Sequence, residues 1–312
     1  APFVGRNEEL GVLQAALSDV ENGRPAVVDV EGPSGIGKTE LVERFLSTLE
    51  AAPGAVVLRG RCHPQESVSY NGFDGVVDAF SEWLTHRTAS ELADLLPPDA
   101  ASLRALFPVF GRVPAIAELR DDPDADAYDR RQRAFRALRD LLAAVGARYT
   151  LAIVIDDVQW GGSDTASLLA EVFRPPGTPR SLLVLAYRAE DAAHATLLSV
   201  LRERAADLLD SVHRVSLGPI PRADSVSLSL ALLSPEGDDG RRVAERIADA
   251  AGGHPLYLRE LALAAAYSPS PAPDAARDLT ALLRARVASL PAPERALLEI
   301  AAAANRPLAR RI

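Results

Sequence analysis

At 312 residues, 48% hydrophobic and 25% charged, the chain has the balance of an ordinary soluble globular protein, with length for about two domains and enough apolar residues to bury a proper core. A net charge of −9 at pH 7 argues against a broad nucleic-acid surface, because such binding draws most of its affinity from Lys and Arg neutralising phosphates. A single cysteine excludes an internal disulfide and fits a reducing cytosol, while no apolar stretch approaches the roughly 20 residues that span a bilayer and no signal-peptide pattern opens the chain, so a cytoplasmic, non-membrane protein is expected.

The chain opens Ala1-Pro2-Phe3 and holds no methionine, which reads as an excised piece of a longer product. The run Ala26-Val27-Val28-Asp29-Val30 predicts a strand, and Leu41, Val42, Phe45, Leu46 and Leu49 lie on one face of a predicted helix. Between them Gly32-Pro33-Ser34-Gly35-Ile36-Gly37-Lys38-Thr39 completes G-x-x-x-x-G-K-[ST] in the strand-loop-helix context where that loop binds phosphate. The glycines let successive N–H groups curl around a phosphate at the positive end of the helix. Lys38 supplies a mobile point charge for the β- and γ-phosphates, the Thr39 hydroxyl is placed to ligate Mg²⁺, and Glu40 opens the helix beside them. A glycine-rich turn with a solvated lysine is the alternative, and the flanking strand and helix disfavour it.

A second strand follows over Ala55-Val56-Val57-Leu58-Arg59-Gly60, with Cys62 and His63 read as strand-end packing. Short helical patterns broken by prolines predict a helical insertion over about 70–123, and a longer helix over about 126–145 carries a solvated arginine face. The continuous apolar run Leu151-Ala152-Ile153-Val154-Ile155, ended by Asp156 and Asp157, is the pattern of a strand buried on both faces of a parallel sheet. This strand is expected to run beside the loop strand, which would bring Asp156 to the metal and leave Asp157 to orient or deprotonate an attacking water. A helix capped by Ser163 or Asp164, a buried strand from Ser181 to Tyr187 ending at Arg188, a helix near 195–209 and a strand over 212–215 continue the alternation. Arg188 stands where a guanidinium could reach the γ-phosphate. Beyond about residue 218 the pattern is entirely helical, broken by a Ser/Pro loop over 268–273.

These residues resemble the STAND class of signal-transduction ATPases within the wider AAA-like group, especially the ATPase domain of large bacterial protein kinases and transcription regulators. The resemblance covers nearly the whole chain through Phe3-Val4-Gly5-Arg6-Asn7-Glu8-Glu9-Leu10, the phosphate loop, Ile155-Asp156-Asp157-Val158-Gln159-Trp160, Ala186-Tyr187-Arg188 and Gly252-Gly253-His254-Pro255-Leu256. Arg59-Gly60-Arg61-Cys62 and Ser67-Val68-Ser69-Tyr70 look like the kinase-linked subgroup. It implies a P-loop α/β domain over 1–217 with a parallel sheet and helices on both faces, a helical lid over 218–267, and the truncated start of a winged-helix domain over 276–312. It further implies that Val4, Gly5 and Arg6 touch the adenine end of the nucleotide, that Pro255 packs on the adenine, that Arg188 senses the γ-phosphate, and that ATP, ADP and Mg²⁺ are the ligands. Self-association in the ATP-bound state, and linked sensor or effector domains with a protein kinase upstream among them, follow from the same resemblance. Asp157 stands where many motor ATPases carry the longer Glu, which implies slow turnover and a switch; a constantly cycling ring ATPase is the alternative. Neither H-R-D nor D-F-G occurs, so kinase activity within this chain is not expected.

Overall fold

The computed structural model describes residues 2–64, 69–120, 126–205, 212–233, 238–267, 284, 287–288 and 290–304. Part of the kinase-linked motif (67–68), the end of the helix predicted over 195–209, the loop over 268–273 and much of 276–312 fall outside the described residues. The chain divides into two compact units, Arg6–Gly218 and a second made of Ala1–Gly5 with Pro219–Ile312.

In the first unit, strands β1 (Ala26–Gly32), β2 (Ala55–Arg61), β3 (Thr150–Asp156), β4 (Ser181–Arg188) and β5 (His213–Ser216) form one sheet in the order β2-β3-β4-β1-β5. Every pairing is parallel. Buried residues of both alternations, Ile153, Ile155, Leu183 and Leu185 on one face and Ala152, Val154, Leu182 and Val184 on the other, explain the uninterrupted apolar runs. Helices α1 (Asn7–Glu21), α2 (Lys38–Glu50), α3 (Phe73–Thr85), α7 (Ala127–Arg148), α8 (Ser163–Val172) and α9 (Thr196–Arg204) flank the two faces, and the short α4 (Ala89–Leu95), α5 (Leu103–Leu106) and α6 (Pro114–Ala117) fill the segment between α3 and α7. This is the P-loop α/β architecture.

The expected neighbourhood of β3 and β1 is corrected by this order, because β4 lies between them. The connection from β1 through α2 to β2 at the sheet edge passes β4 and β3, so the start of α2 still reaches the end of β3. The cap expected at Ser163 or Asp164 is also corrected: Gly162 is the N-cap of α8 and makes no side-chain hydrogen bond there. Asp164 sits in the first turn, where it favours the helix dipole and pairs with Arg131 at 3.4 Å. That arginine is not simply solvated, since its guanidinium lies 5.2 Å from the Phe135 ring centre.

The second unit packs α10 (Arg222–Leu233), α11 (Asp238–Ala251) and α12 (Pro255–Tyr267) around Ile220, Ile247, Leu258 and Leu261. Gly252 and Gly253, at φ 57° and 80°, end α11 before Pro255 opens α12. A further helix, α13, spans Ala292–Ala304. Among the described residues no helix is long and apolar enough to cross a membrane.

Candidate nucleotide site

The loop between β1 and α2 turns through Gly35 and Gly37, whose φ values of 75° and 101° are closed to most other residues. Ile36 between them is buried and pins the loop, leaving Pro33, Ser34, Thr39 and Glu40 exposed. Lys38 is only 8% exposed, and its ammonium donates to the carbonyls of Gly32 at 2.7 Å and Pro33 at 3.0 Å. The expected mobile point charge is therefore held in place, because a buried ammonium needs acceptors. Burial lowers the Lys38 pKa, with the charges of Glu190, Asp156 and Asp157 opposing it.

Asp156 closes β3, and the Thr39 hydroxyl donates to its Oδ2 at 2.9 Å. The Asp157 N–H donates to its Oδ1, also at 2.9 Å. Asp157 itself takes a left-handed turn, φ 54° and ψ 39°, a conformation Asp tolerates better than most residues. Its carboxylate accepts from Arg61 Nε at 2.9 Å, Arg61 Nη2 at 2.7 Å and Gln159 Nε2 at 2.8 Å, with Arg188 Nε 4.0 Å away. Burial pushes the Asp157 pKa up, but the Gln159 and Arg61 hydrogen bonds and the charges of Arg61 and Arg188 outweigh it and hold the carboxyl below its usual range.

Register fixes the remaining side. Gly32 of β1 pairs with Arg188 of β4, so the chain just beyond each strand meets the other. Glu190, in the turn after β4, accepts from the Ser34 N–H at 3.1 Å, and Gln159 Oε1 accepts from the Arg188 N–H at 3.2 Å. Beside Thr39 and Asp156 a cavity of about 380 Å³ opens, lined also by Glu43, Arg61 and His63.

Of the residues singled out in the sequence, Lys38, Thr39, Asp156, Asp157 and Arg188 converge at the carboxyl ends of β1, β3 and β4. Arg6 joins them from the start of α1, pairing with Glu9 at 2.8 Å and donating to the Ile36 carbonyl at 3.4 Å. Val4, Gly5 and Pro255 belong to the second unit, where Val4 packs on the helical core and a side chain on Gly5 would strike Asp224. Arg61, Gln159 and Glu190 enter the site without having been assigned to it from sequence. Their signal was position, since each lies at a predicted strand end or within three residues of one.

The sequence profile of the AAA ATPase domain matches residues 2–185, and the chain belongs to that family. It is thus an ATP-binding, P-loop ATPase domain. Uncharacterized protein R02095 of Rhizobium meliloti (strain 1021) is 27% identical over 278 residues, covering 83% of this chain and 25% of that protein. The chain spans a quarter of the length of that relative. Among solved structures, the Walker-type ATPase PABY2304 of Pyrococcus abyssi superposes with a TM-score of 0.46 at 14% identity, over 96% of this chain and 75% of that one. Drosophila ORC bound to DNA gives 0.49 at 15% identity, over 95% and 68%.

Proposed function

We propose that this chain is the ATP-binding, slowly ATP-hydrolysing regulatory module of a STAND-type signalling ATPase, alternating between a closed ADP-bound and an open, self-associating ATP-bound state. The observation that carries the reading is the meeting of Thr39 with Asp156 at 2.9 Å, with Lys38, Asp157 and Arg188 around them. A hydroxyl and a carboxylate are the donors a hard cation prefers, so Thr39 and Asp156 fit Mg²⁺ and would hold it. When bound, that ion neutralises charge on the phosphate oxygens.

The chain's own residues take the remaining roles. The N–H groups from Gly32 through Thr39 bind phosphate oxygens at the positive end of α2, with Pro33, which has no N–H, shaping the turn and Glu40 following it. Lys38 exchanges the Gly32 and Pro33 carbonyls for the β- and γ-phosphates. Arg188 reads the terminal phosphate, and Asp157 orients the attacking water and accepts its proton. Two hydrogen-bonding partners already hold Asp157, and its lowered pKa makes it a weak base, which favours the slow rate a switch needs. Contacts of Val4, Gly5, Arg6 and Pro255 with adenine rest on the motif resemblance. So do linked sensor or effector domains, a kinase upstream among them; the quarter-length match to a much longer relative agrees with such an arrangement. Cys62, the single cysteine, is buried, which suits a reducing cytoplasm.

Denaturing the purified chain and identifying what it releases tests the reading. Retained ADP, or calorimetric binding of ADP and ATP that Lys38→Ala abolishes, is the expected result. Binding of neither nucleotide overturns the site. Sustained turnover above about one per second without any activator overturns the switch in favour of a cycling motor.

A further inference from the structure

The sequence motifs leave Glu190 without a role, yet its carboxylate sits on the phosphate loop. It accepts from the Ser34 N–H at 3.1 Å. Of the carboxylates acting on Lys38, Glu190 acts most strongly, ahead of Asp156 and Asp157. The register of β1 with β4 makes this placement a property of the fold, since Gly32 and Arg188 are partners and Ser34 and Glu190 each follow by two residues. Its own N–H comes first among the influences that keep its carboxyl ionised; desolvation opposes it next, and the Ser34 N–H and the charges of Lys38 and Arg188 add to the ionised form. An anion is thus built into a loop whose chemistry is to bind anions.

Resting on the nucleotide site proposed above, we infer that Glu190 is a specificity-determining residue that discriminates between nucleoside di- and triphosphates: its carboxylate holds the ground that a third phosphate needs. The lysine of such a loop serves the β- and γ-phosphates. A terminal phosphate drawn to Lys38 and Arg188 meets the Glu190 carboxylate and must displace it from the Ser34 N–H, whereas a diphosphate ends one phosphate short of that conflict. The residue therefore biases the chain toward the diphosphate-bound state, and a signal that withdraws the turn after β4 would release the bias. A bound triphosphate, once in place, frees Glu190 to solvent, where it is already exposed.

The test is equilibrium calorimetry with ADP and with the β,γ-imido analogue of ATP, each with magnesium, on the whole chain and on Glu190→Gln and Glu190→Ala. Both variants alter an exposed side chain and should fold normally. The expected result is that each tightens the triphosphate analogue by roughly fivefold to tenfold, the size of one like-charge contact near a surface, while ADP affinity changes little. Raising the salt concentration should narrow the same ratio in the parent chain. An unchanged ratio in both variants overturns the inference and leaves the nucleotide site standing. Equal weakening of both nucleotides also overturns it, because Glu190 would then brace the loop. Failure of the parent chain to bind either nucleotide removes the site itself.

Discussion

Asp157 is pulled two ways: burial favours its proton, and the Arg61 and Gln159 hydrogen bonds favour its charge. The charge wins, so the residue proposed to deprotonate a water is also made reluctant to do so. Asp157→Asn should lower ATP hydrolysis by about 10²–10⁴-fold with ADP affinity nearly unchanged, as single-turnover kinetics and calorimetry would report. Arg61→Gln should act oppositely, returning the carboxyl toward its usual range and raising the single-turnover rate several-fold. A slower Arg61→Gln chain would mean that Arg61 positions Asp157 instead of restraining it. Asp29, in the middle of β1, presents a different problem, for its Oδ1 is buried without a hydrogen-bond partner. Burial raises its pKa, opposed by the charges of Arg214 and Arg202 and a hydrogen bond to Tyr187. A carboxyl whose native pKa lies above its unfolded one contributes stability that is complete below the unfolded value, about 3.9, and is lost as pH rises through the native one. Asp29→Asn, which cannot ionise, should raise the melting temperature by a few degrees at pH 7. The gain should vanish as the pH falls below about 4.

Helix α3 lies against β2 with almost no space between the backbones. A Cβ on Gly60 of β2 would fall 1.8 Å from the Gly72 carbonyl at the N-cap of α3, so the helix would have to lift. Gly60→Ala should cost about 3 kcal/mol, read as a melting temperature lowered by about 6–12 °C. Gly11, inside α1 with nothing near its would-be Cβ, provides the contrast: Gly11→Ala should stabilise by about 0.5–1 kcal/mol. Elements of this kind were readable from sequence to different depths. The strands stood out because a strand covered on both faces has no polar alternation to blur it, and the loop stood out because phosphate chemistry dictates its residue types. Strand order was not readable. Nothing in the run Leu151 to Asp156 says that β4 inserts between it and β1, and only the crossover of α2 reveals why Thr39 and Asp156 still touch. Arg61, Gln159 and Glu190 were hidden for the same reason, since topology alone brings three strand ends to one point. The start of α8 was read correctly at Ser163, but its cap was misread because Ser163 and Asp164 are good caps by type, while Gly162 takes the cap position.

At the scale of the whole molecule, each unit has its own core, and every residue that touches the proposed phosphate and metal positions belongs to Arg6–Gly218. Binding energy should therefore enter the fold through that unit. Nucleotide at about 100 times its dissociation constant adds roughly 2.7 kcal/mol to the state that binds it, which for a unit of this size is a rise of about 5–10 °C in melting temperature. A calorimetric scan with saturating ADP and magnesium should display that rise, and where two transitions are resolved it should fall on the one lost by chains destabilised in the sheet, such as Gly60→Ala. Lys38→Ala should melt close to the parent chain without ligand and lose the rise with it, because the substitution removes the phosphate's main cation while relieving a buried ammonium of its desolvation. A rise that survives Lys38→Ala would mean that the ligand binds away from the loop. The hydrogen bond between Thr39 and Asp156 would then be a structural tie between α2 and β3 and nothing more.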